Sequence, residues 1–226
     1  MNDQGKILVI GGGISGITTA LEASEVGRDV ILVEKSPTLG GRVSGFHQYF
    51  PKLCPPTCGL EINYRRLRAN RHVQVYTNSE VLSVSGEAGN FKIKVRKNPT
   101  YVNEKCVACD HCTAVCPSDR SNDFNAGMDK TNAIFMPNKM AYPPRYVIDR
   151  PACEPGCSKC VEACKYGAID LDMKTQEIEL EVASVVVATG WKPYDASKLT
   201  NMGFSSVPNV INNIMMERLA SVSDPT

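Results

Sequence analysis

Neither sign of charge dominates this chain: 25 Lys and Arg stand against 24 Asp and Glu, a net charge of +1. That balance supplies no general field for a nucleic acid or an anionic membrane surface, so no nucleic-acid partner is expected. No run approaches the roughly 18–20 consecutive apolar residues of a membrane-spanning helix. The opening MNDQGKILVIGGG has no basic segment ahead of a long apolar one and does not read as a secretory signal. Any membrane association is therefore expected to be peripheral, through partners. With 226 residues the chain is long enough to bury a core and to form one or two domains.

Cysteine, by contrast, is plentiful. Ten cysteines in a chain without an export signal point to reduced thiols that bind metal in the cytoplasm. Cys106, Cys109, Cys112 and Cys116 read C-x2-C-x2-C-x3-C, with Pro117 next; Cys153, Cys157, Cys160 and Cys164 read C-x3-C-x2-C-x3-C. Two such quartets are the ligand pattern of two 4Fe–4S clusters of the bacterial ferredoxin kind. Three closely spaced thiolates wrap one cubane as the loop turns around it, and the fourth reaches across to the other. Cys106, Cys109, Cys112 and Cys164 are therefore assigned to one cluster, and Cys153, Cys157, Cys160 and Cys116 to the second. Structural zinc usually shows paired C-x2-C units with a longer gap, and a disulfide scaffold needs an oxidising compartment. Two departures stand out: one extra residue between Cys153 and Cys157, and Lys165 where a proline often follows the last ligand. His111 is expected to shield a cluster rather than ligate it.

A second pattern opens the chain. Lys6 to Ile10 is a short apolar run, followed by Gly11, Gly13 and Gly16 as G-x-G-x-x-G, with Ile14 and Ser15 inside the motif. Ile14, Ile17 and Leu21 recur at helical spacing, and Gly27 can end the helix. Asp29 to Val33 is the next strand, with Glu34 at its end, eighteen residues past Gly16. Strand, glycine turn, helix, strand and acid form a dinucleotide fingerprint. The helix start receives a pyrophosphate and Glu34 the adenosine ribose. Lys35, rather than an arginine, follows the acid, and Gly40, Gly41 and Arg42 come six residues later. A second glycine pair there favours FAD over a nicotinamide cofactor. Val185 to Ala188, running into Thr189 and Gly190, resembles the second flavin-contacting strand end of such flavoproteins, and Trp191 is expected in the core or at the cofactor's edge.

Between these lie the elements of an α/β fold: a helix over Leu60–Arg71 with an arginine-bearing solvated face, a strand over Val73–Tyr76, and a hairpin of Val81–Ser85 with Phe91–Arg96. Strand character resumes at Gln176–Leu180. The expected architecture is an FAD-binding Rossmann-like, thioredoxin-reductase-like domain, residues 1–100 and 173–226, with a two-cluster ferredoxin-like domain, 101–172, inserted in its small β meander. The 36 residues 117–152 between the quartets are long for a ferredoxin connection and are read as a candidate partner interface. Cys54 and Cys58, in the proline-stiffened segment 47–59, keep three readings: a redox dithiol near the flavin, ligands of a further cluster, or inert thiols. No acid–base constellation for substrate chemistry stands out, so no catalytic side chain is assigned and the redox groups carry the chemistry.

The order GGGISG, EKSPTLGGR, PKLCPPTCGLEIN, CVACDHCTAVCP, RYVID, CVEACKYGAIDL, VVVATGWKPYD resembles the A subunits of heterodisulfide reductases over nearly the whole chain. YFPKLCPPTCGLEIN, ATGWKPYDA and MMERLA look closer still to the A subunit of the quinone-interacting membrane-bound oxidoreductase complex of sulfate reducers. The resemblance implies an oxidoreductase subunit with FAD and two 4Fe–4S clusters, passing electrons between a membrane quinone-handling partner and a soluble reductase, thought to be adenylylsulfate reductase, alongside other flavin and iron–sulfur subunits. Its alternatives are a heterodisulfide reductase A subunit in flavin-based electron bifurcation and a scaffold whose clusters only stabilise the fold. Members of the family continue well past residue 226; the third flavin motif, a strand ending in Gly-Asp, and a nicotinamide-binding half do not occur within these residues.

Overall fold

The structure, a computed structural model, describes residues 5–221. Its centre is a four-stranded parallel sheet of β1 (Ile7–Ile10), β2 (Val30–Val33), β3 (Val73–Tyr76) and β11 (Ser184–Val187), in the order β11-β1-β2-β3. The central strands β1 and β2 are unbroken apolar runs because both faces of the sheet are covered there, whereas Gln74 of β3 and Ser184 of β11 are exposed at its edges. Side chains alternate between the two faces. Val9, Val30 and Leu32 pack with Ile17, Ala20 and Leu21 of α1 (Ile14–Glu25) and with Leu60 and Leu67 of α2 (Pro56–Ala69). Leu8, Ile31 and Val33 face the other way, onto Ile93, Val95 and Val182.

Those last three residues belong to a second, antiparallel sheet: β4 (Ser79–Glu87), β5 (Asn90–Lys97) and β10 (Gln176–Val182), ordered β10-β5-β4. The molecule is thus helices, parallel sheet and antiparallel meander in three layers. Each of these strands lies within a few residues of the run that the sequence pattern predicts. The second helix starts earlier than its pattern predicts, at Pro56, because a proline at the first helical position costs no hydrogen bond there. Cys58 consequently sits in its first turn. The arginines of α2 are surface residues, as expected: Arg65 pairs with Glu61, and Arg66 reaches Glu22 and Glu25 of α1.

Residues between β5 and β10 form a separate lobe with its own core of Val102, Cys112, Ile134, Tyr146, Ile148 and Ala168. Cys106, Cys116, Cys153, Cys160 and Cys164 pack against that core, half-buried. The lobe contains α3 (His111–Ala114), the antiparallel pairs β6 (Asp119–Ser121) with β7 (Lys130–Asn132) and β8 (Ile134–Phe135) with β9 (Val147–Ile148), and α4 (Lys159–Ala163). Its two ends meet: Val102 bridges Ile169, and Lys97 pairs with Gln176. A last helix, α5 (Asn213–Leu219), lies near the loop Gly41–Gly45.

Candidate functional site

The first candidate site lies at the carboxyl ends of β1, β2 and β11. In this sheet order the chain leaves β1 in one direction for β2, while β11 lies on β1's other side. Such a switch point opens the crevice where doubly wound sheets bind ligands. Gly11, with φ +108°, leaves β1; a Cβ on it would lie 2.3 Å from the Ala188 carbonyl oxygen. A Cβ on Gly16 would lie 1.8 Å from the Gly11 carbonyl oxygen, so only glycine lets α1 approach the turn. Both glycines are explained by the chain itself. Gly13 is not: a Cβ there would meet no protein atom closer than 3.9 Å. Glycine at Gly13 leaves room for something laid against the backbone at the start of α1.

That helix start carries no side-chain cap and no acidic residue in its first turn, so the amides around Ile14 and Ser15 are not satisfied by a side chain. The helix dipole adds partial positive charge there. Glu34 lies beside it, 9% exposed. Its carboxylate accepts from the Gly12 amide (2.5 Å) and the Ser36 amide (2.7 Å), one on each oxygen. Each oxygen can accept again, as a ribose diol requires. The loop after β2 folds onto the glycine turn: the Gly40 amide donates to the Gly12 carbonyl (2.8 Å), and Gly41 lies against Gly13.

Arg42 closes the far side. Its Nε donates to the Trp191 carbonyl oxygen (2.7 Å), and its guanidinium sits 5.1 Å from the centre of the indole. This one side chain joins the loop after β2 to the Thr189–Gly190 turn after β11. Trp191 is 52% exposed and so lies outside the core. The Lys35 ammonium reaches Glu80 of β4 (3.4 Å), an acid within range of its exposed, flexible stem.

The second candidate site is double. Two cavities in the inserted lobe, enclosing about 350 and 310 Å³ with part of each open to solvent, are walled by cysteine. Cys106, Cys109, Cys112 and Cys164 line the first; Cys116, Cys153, Cys157 and Cys160 line the second. Each cavity thus takes three cysteines from one quartet and one from the other. His111 lines the first cavity. Among the described residues no three His, Cys, Asp or Glu converge tightly enough to hold a single metal ion. A cavity lined by four cysteines is a donor set that a 4Fe–4S cluster would fit.

Backbone strain shapes the first loop. Ala108 and Asp110, each between two cysteines, adopt left-handed φ values of +55° and +66°, a conformation that costs a non-glycine residue energy and concentrates at functional sites. In the second loop the extra residue is taken up in a turn, where the Cys157 amide bonds to the Glu154 carbonyl (3.2 Å) and Gly156 takes φ +74°. Burial pushes the Cys112 thiol up to about 12, with the Cys106 and Cys109 thiols adding to it. Burial likewise raises the Cys160 thiol, and raises Cys153 against an opposing hydrogen bond from Arg150. Thiols so placed resist ionisation on their own; a cationic iron core would supply the missing compensation.

Two contacts between the halves of the molecule are not legible in the sequence. Tyr142, in the loop between the quartets, stacks on Tyr64 of α2 with ring centres 5.2 Å apart. Its carbonyl accepts from the Leu39 amide (2.9 Å), and its amide donates to Thr38 Oγ1 (2.9 Å). Arg218 of α5, 5% exposed, donates to Asn125 Oδ1 (3.2 Å) and the Gly45 carbonyl (3.4 Å) and covers the Phe124 ring. The long loop, expected as a partner interface, therefore docks at these points on the chain's own flavin-type domain. Cys54 and Cys58 are both exposed, and neither lines either cysteine cavity.

Residues 6–82 match the FAD-dependent oxidoreductase family. Over 98% of its length the chain is 38% identical to the A subunit of a ferredoxin/F420H2-dependent CoB-CoM heterodisulfide reductase of Methanosarcina acetivorans, covering 28% of that protein. It is 37% identical to the A subunit of the H2:CoB-CoM heterodisulfide,ferredoxin reductase of Methanothermobacter thermautotrophicus, over 98% of this chain and 34% of that one. The iron–sulfur A subunit of the CoB–CoM heterodisulfide reductase of Methanocaldococcus jannaschii is also 37% identical, over 97% of this chain and 33% of its own length. The chain spans about a third of the length of the curated relatives it matches. No helix among the described residues is long and apolar enough to cross a membrane. Residues 6–82 thus carry an FAD-dependent oxidoreductase match on a Rossmann-like α/β fold, and nearly the whole chain is similar to one stretch of heterodisulfide reductase A subunits.

Proposed function

We propose that this chain is an electron-transfer subunit that binds one FAD at the glycine crevice and two 4Fe–4S clusters in the inserted ferredoxin-like domain. The observation that carries the reading is the crossed membership of the two cysteine cavities. Bound FAD exchanges electrons in pairs and iron–sulfur clusters exchange them singly. The chain's own residues hold and orient these groups. Gly13 and the amides opening α1 receive the pyrophosphate, Glu34 accepts from the ribose, and Arg42 with Trp191 bounds the flavin end. The eight cysteines supply the thiolates, and the docking of Tyr142 and Arg218 fixes one set of groups relative to the other.

Iron, acid-labile sulfide and flavin per chain, measured after anaerobic purification, test the reading. It expects about eight iron, about eight sulfide and one FAD. About four iron would remove the second cluster, and zinc without sulfide would overturn the proposal.

Two physiological settings follow. In the first, the protein relays electrons between a membrane quinone-linked partner and a soluble reductase such as adenylylsulfate reductase; the stretches YFPKLCPPTCGLEIN, ATGWKPYDA and MMERLA support it. In the second, it is the A subunit of a heterodisulfide reductase engaged in flavin-based electron bifurcation; the 37–38% identity to such proteins supports it. A flavin titration separates them, because bifurcation requires crossed one-electron potentials at the flavin.

A further inference from the structure

The two cysteine cavities differ in the charge they present. Asp110 is the charged carboxylate in the wall of the first; its oxygen accepts from Tyr146 Oη (2.6 Å) and from Thr113 Oγ1. Among the described residues no lysine or arginine lines that cavity. The wall of the second contains Arg150 and, among the described residues, no acid. Arg150 and Cys153 line that wall together. Asp149, the neighbour of Arg150, pairs with Arg120 (2.7 Å). Weak neutral contacts at sulfur occur in both: the Ala168 amide donates to Cys164 (3.4 Å) in the first, and Cys116 lies 3.4 Å from the Ser118 carbonyl in the second.

Reduction adds one negative charge to a cluster already bearing four thiolates. A carboxylate in the wall opposes that charge, and a guanidinium in the wall favours it. Charge and hydrogen bonds at sulfur are among the levers that set cluster potentials, and a charged donor outweighs a neutral amide.

We propose that Arg150 and Asp110 order the two clusters: the one held by Cys116, Cys153, Cys157 and Cys160 has the higher potential, and the one held by Cys106, Cys109, Cys112 and Cys164 the lower. The inference rests on the cluster reading above. A single electron entering the pair settles on the Arg150 side. In the internal step one electron leaves the first set, which is oxidised, and enters the second, which is reduced; no bond forms or breaks and no proton moves.

The test is a dithionite titration of the anaerobic, cluster-loaded protein followed by electron paramagnetic resonance. Wild type is expected to show two separate reduction events. Arg150→Gln is expected to lower the higher midpoint alone, and Asp110→Asn to raise the lower midpoint alone. Each shift should be at least tenfold in the oxidised-to-reduced ratio at fixed potential, about 59 mV for one electron. Arg150→Lys, which keeps the charge, should retain the order. Should Arg150→Gln shed iron, Arg150→Lys and Asp110→Asn carry the comparison. His111→Gln accompanies them, because His111 lines the first cavity; a shift from it larger than that from Asp110→Asn would overturn the assignment. A single shared midpoint, or Arg150→Gln acting on the lower event, overturns the ordering while leaving the clusters in place. Absence of iron and sulfide overturns the cluster reading and the ordering together.

Discussion

Removing the Tyr142 ring should loosen the inserted lobe from the flavin-type domain while leaving both folded. Tyr142→Ala keeps the backbone bonds to Thr38 and Leu39 but loses the stack on Tyr64. An offset aromatic pair contributes about 0.5–1.5 kcal/mol beyond its burial. Complete truncation of a buried aromatic costs about 3–5 kcal/mol; the half-buried Tyr142 should lose roughly half of that. The total is about 2–4 kcal/mol, which in a protein of this size lowers Tm by roughly 4–16 °C. Thermal unfolding of the holoprotein, read by flavin fluorescence, measures it. Limited proteolysis should show faster cleavage within residues 126–145, because the loop loses its anchor before the lobe loses its core. Tyr142→Phe keeps the ring and should stay within about 0.5 kcal/mol of wild type. Unchanged melting and unchanged cleavage in Tyr142→Ala would refute the view that this stack docks the lobe.

Gly16→Ala forces a Cβ onto the Gly11 carbonyl, 1.8 Å away, and should abolish flavin retention on a desalting column, with far-ultraviolet circular dichroism showing whether the helix survives. Glu34→Gln keeps the shape but replaces a charged acceptor of two amides, and hydrogen bonds to charged groups contribute about 1.5–3 kcal/mol; FAD affinity, measured by fluorescence titration, should fall roughly tenfold or more. Burial raises the Tyr64 hydroxyl well above the ordinary tyrosine value of about 10. Its stabilisation is therefore complete below about pH 10 and lost as the pH rises further, because the unfolded chain ionises first. Denaturant melts from pH 9 to 11 should show a steeper alkaline loss for wild type than for Tyr64→Phe, which starts lower through loss of the bond to the Leu39 carbonyl.

What can be read from the sequence is carried by local spacing. Gly11, Gly13, Gly16 and Glu34 sit in one βαβ unit, and the register of each quartet fixes which thiols share a loop. The central strands β1 and β2 are visible as short apolar runs, since both their faces are buried. Tyr142 and Arg218 give no such signal. Their partners Leu39 and Asn125 lie 103 and 93 residues away, and an exposed-looking Pro-rich loop or a short terminal helix does not announce a docking contact. The Lys35–Glu80 pair is equally invisible, because sequence adjacency to Glu34 says nothing of where a long flexible stem goes, and Glu80 comes from the next sheet. The opposed charges of Asp110 and Arg150 likewise become visible only once the cavities show which residues face inward.

The pairing of Lys97 with Gln176 has a consequence for how such a chain could have been assembled. Two neighbouring strands of the meander enter and leave the cysteine lobe at adjacent positions, so the lobe occupies the place of a hairpin turn. Replacing residues 99–174 by a two-residue Asn-Gly turn should leave β4, β5 and β10 free to pair as before. The lobe, closed at its root by Val102 and Ile169, could be grafted onto another hairpin by the same two strands. Acquiring it would require no rearrangement of the host sheet, only later tailoring of two surfaces, around Tyr142 and around Arg218, to hold an imported part still.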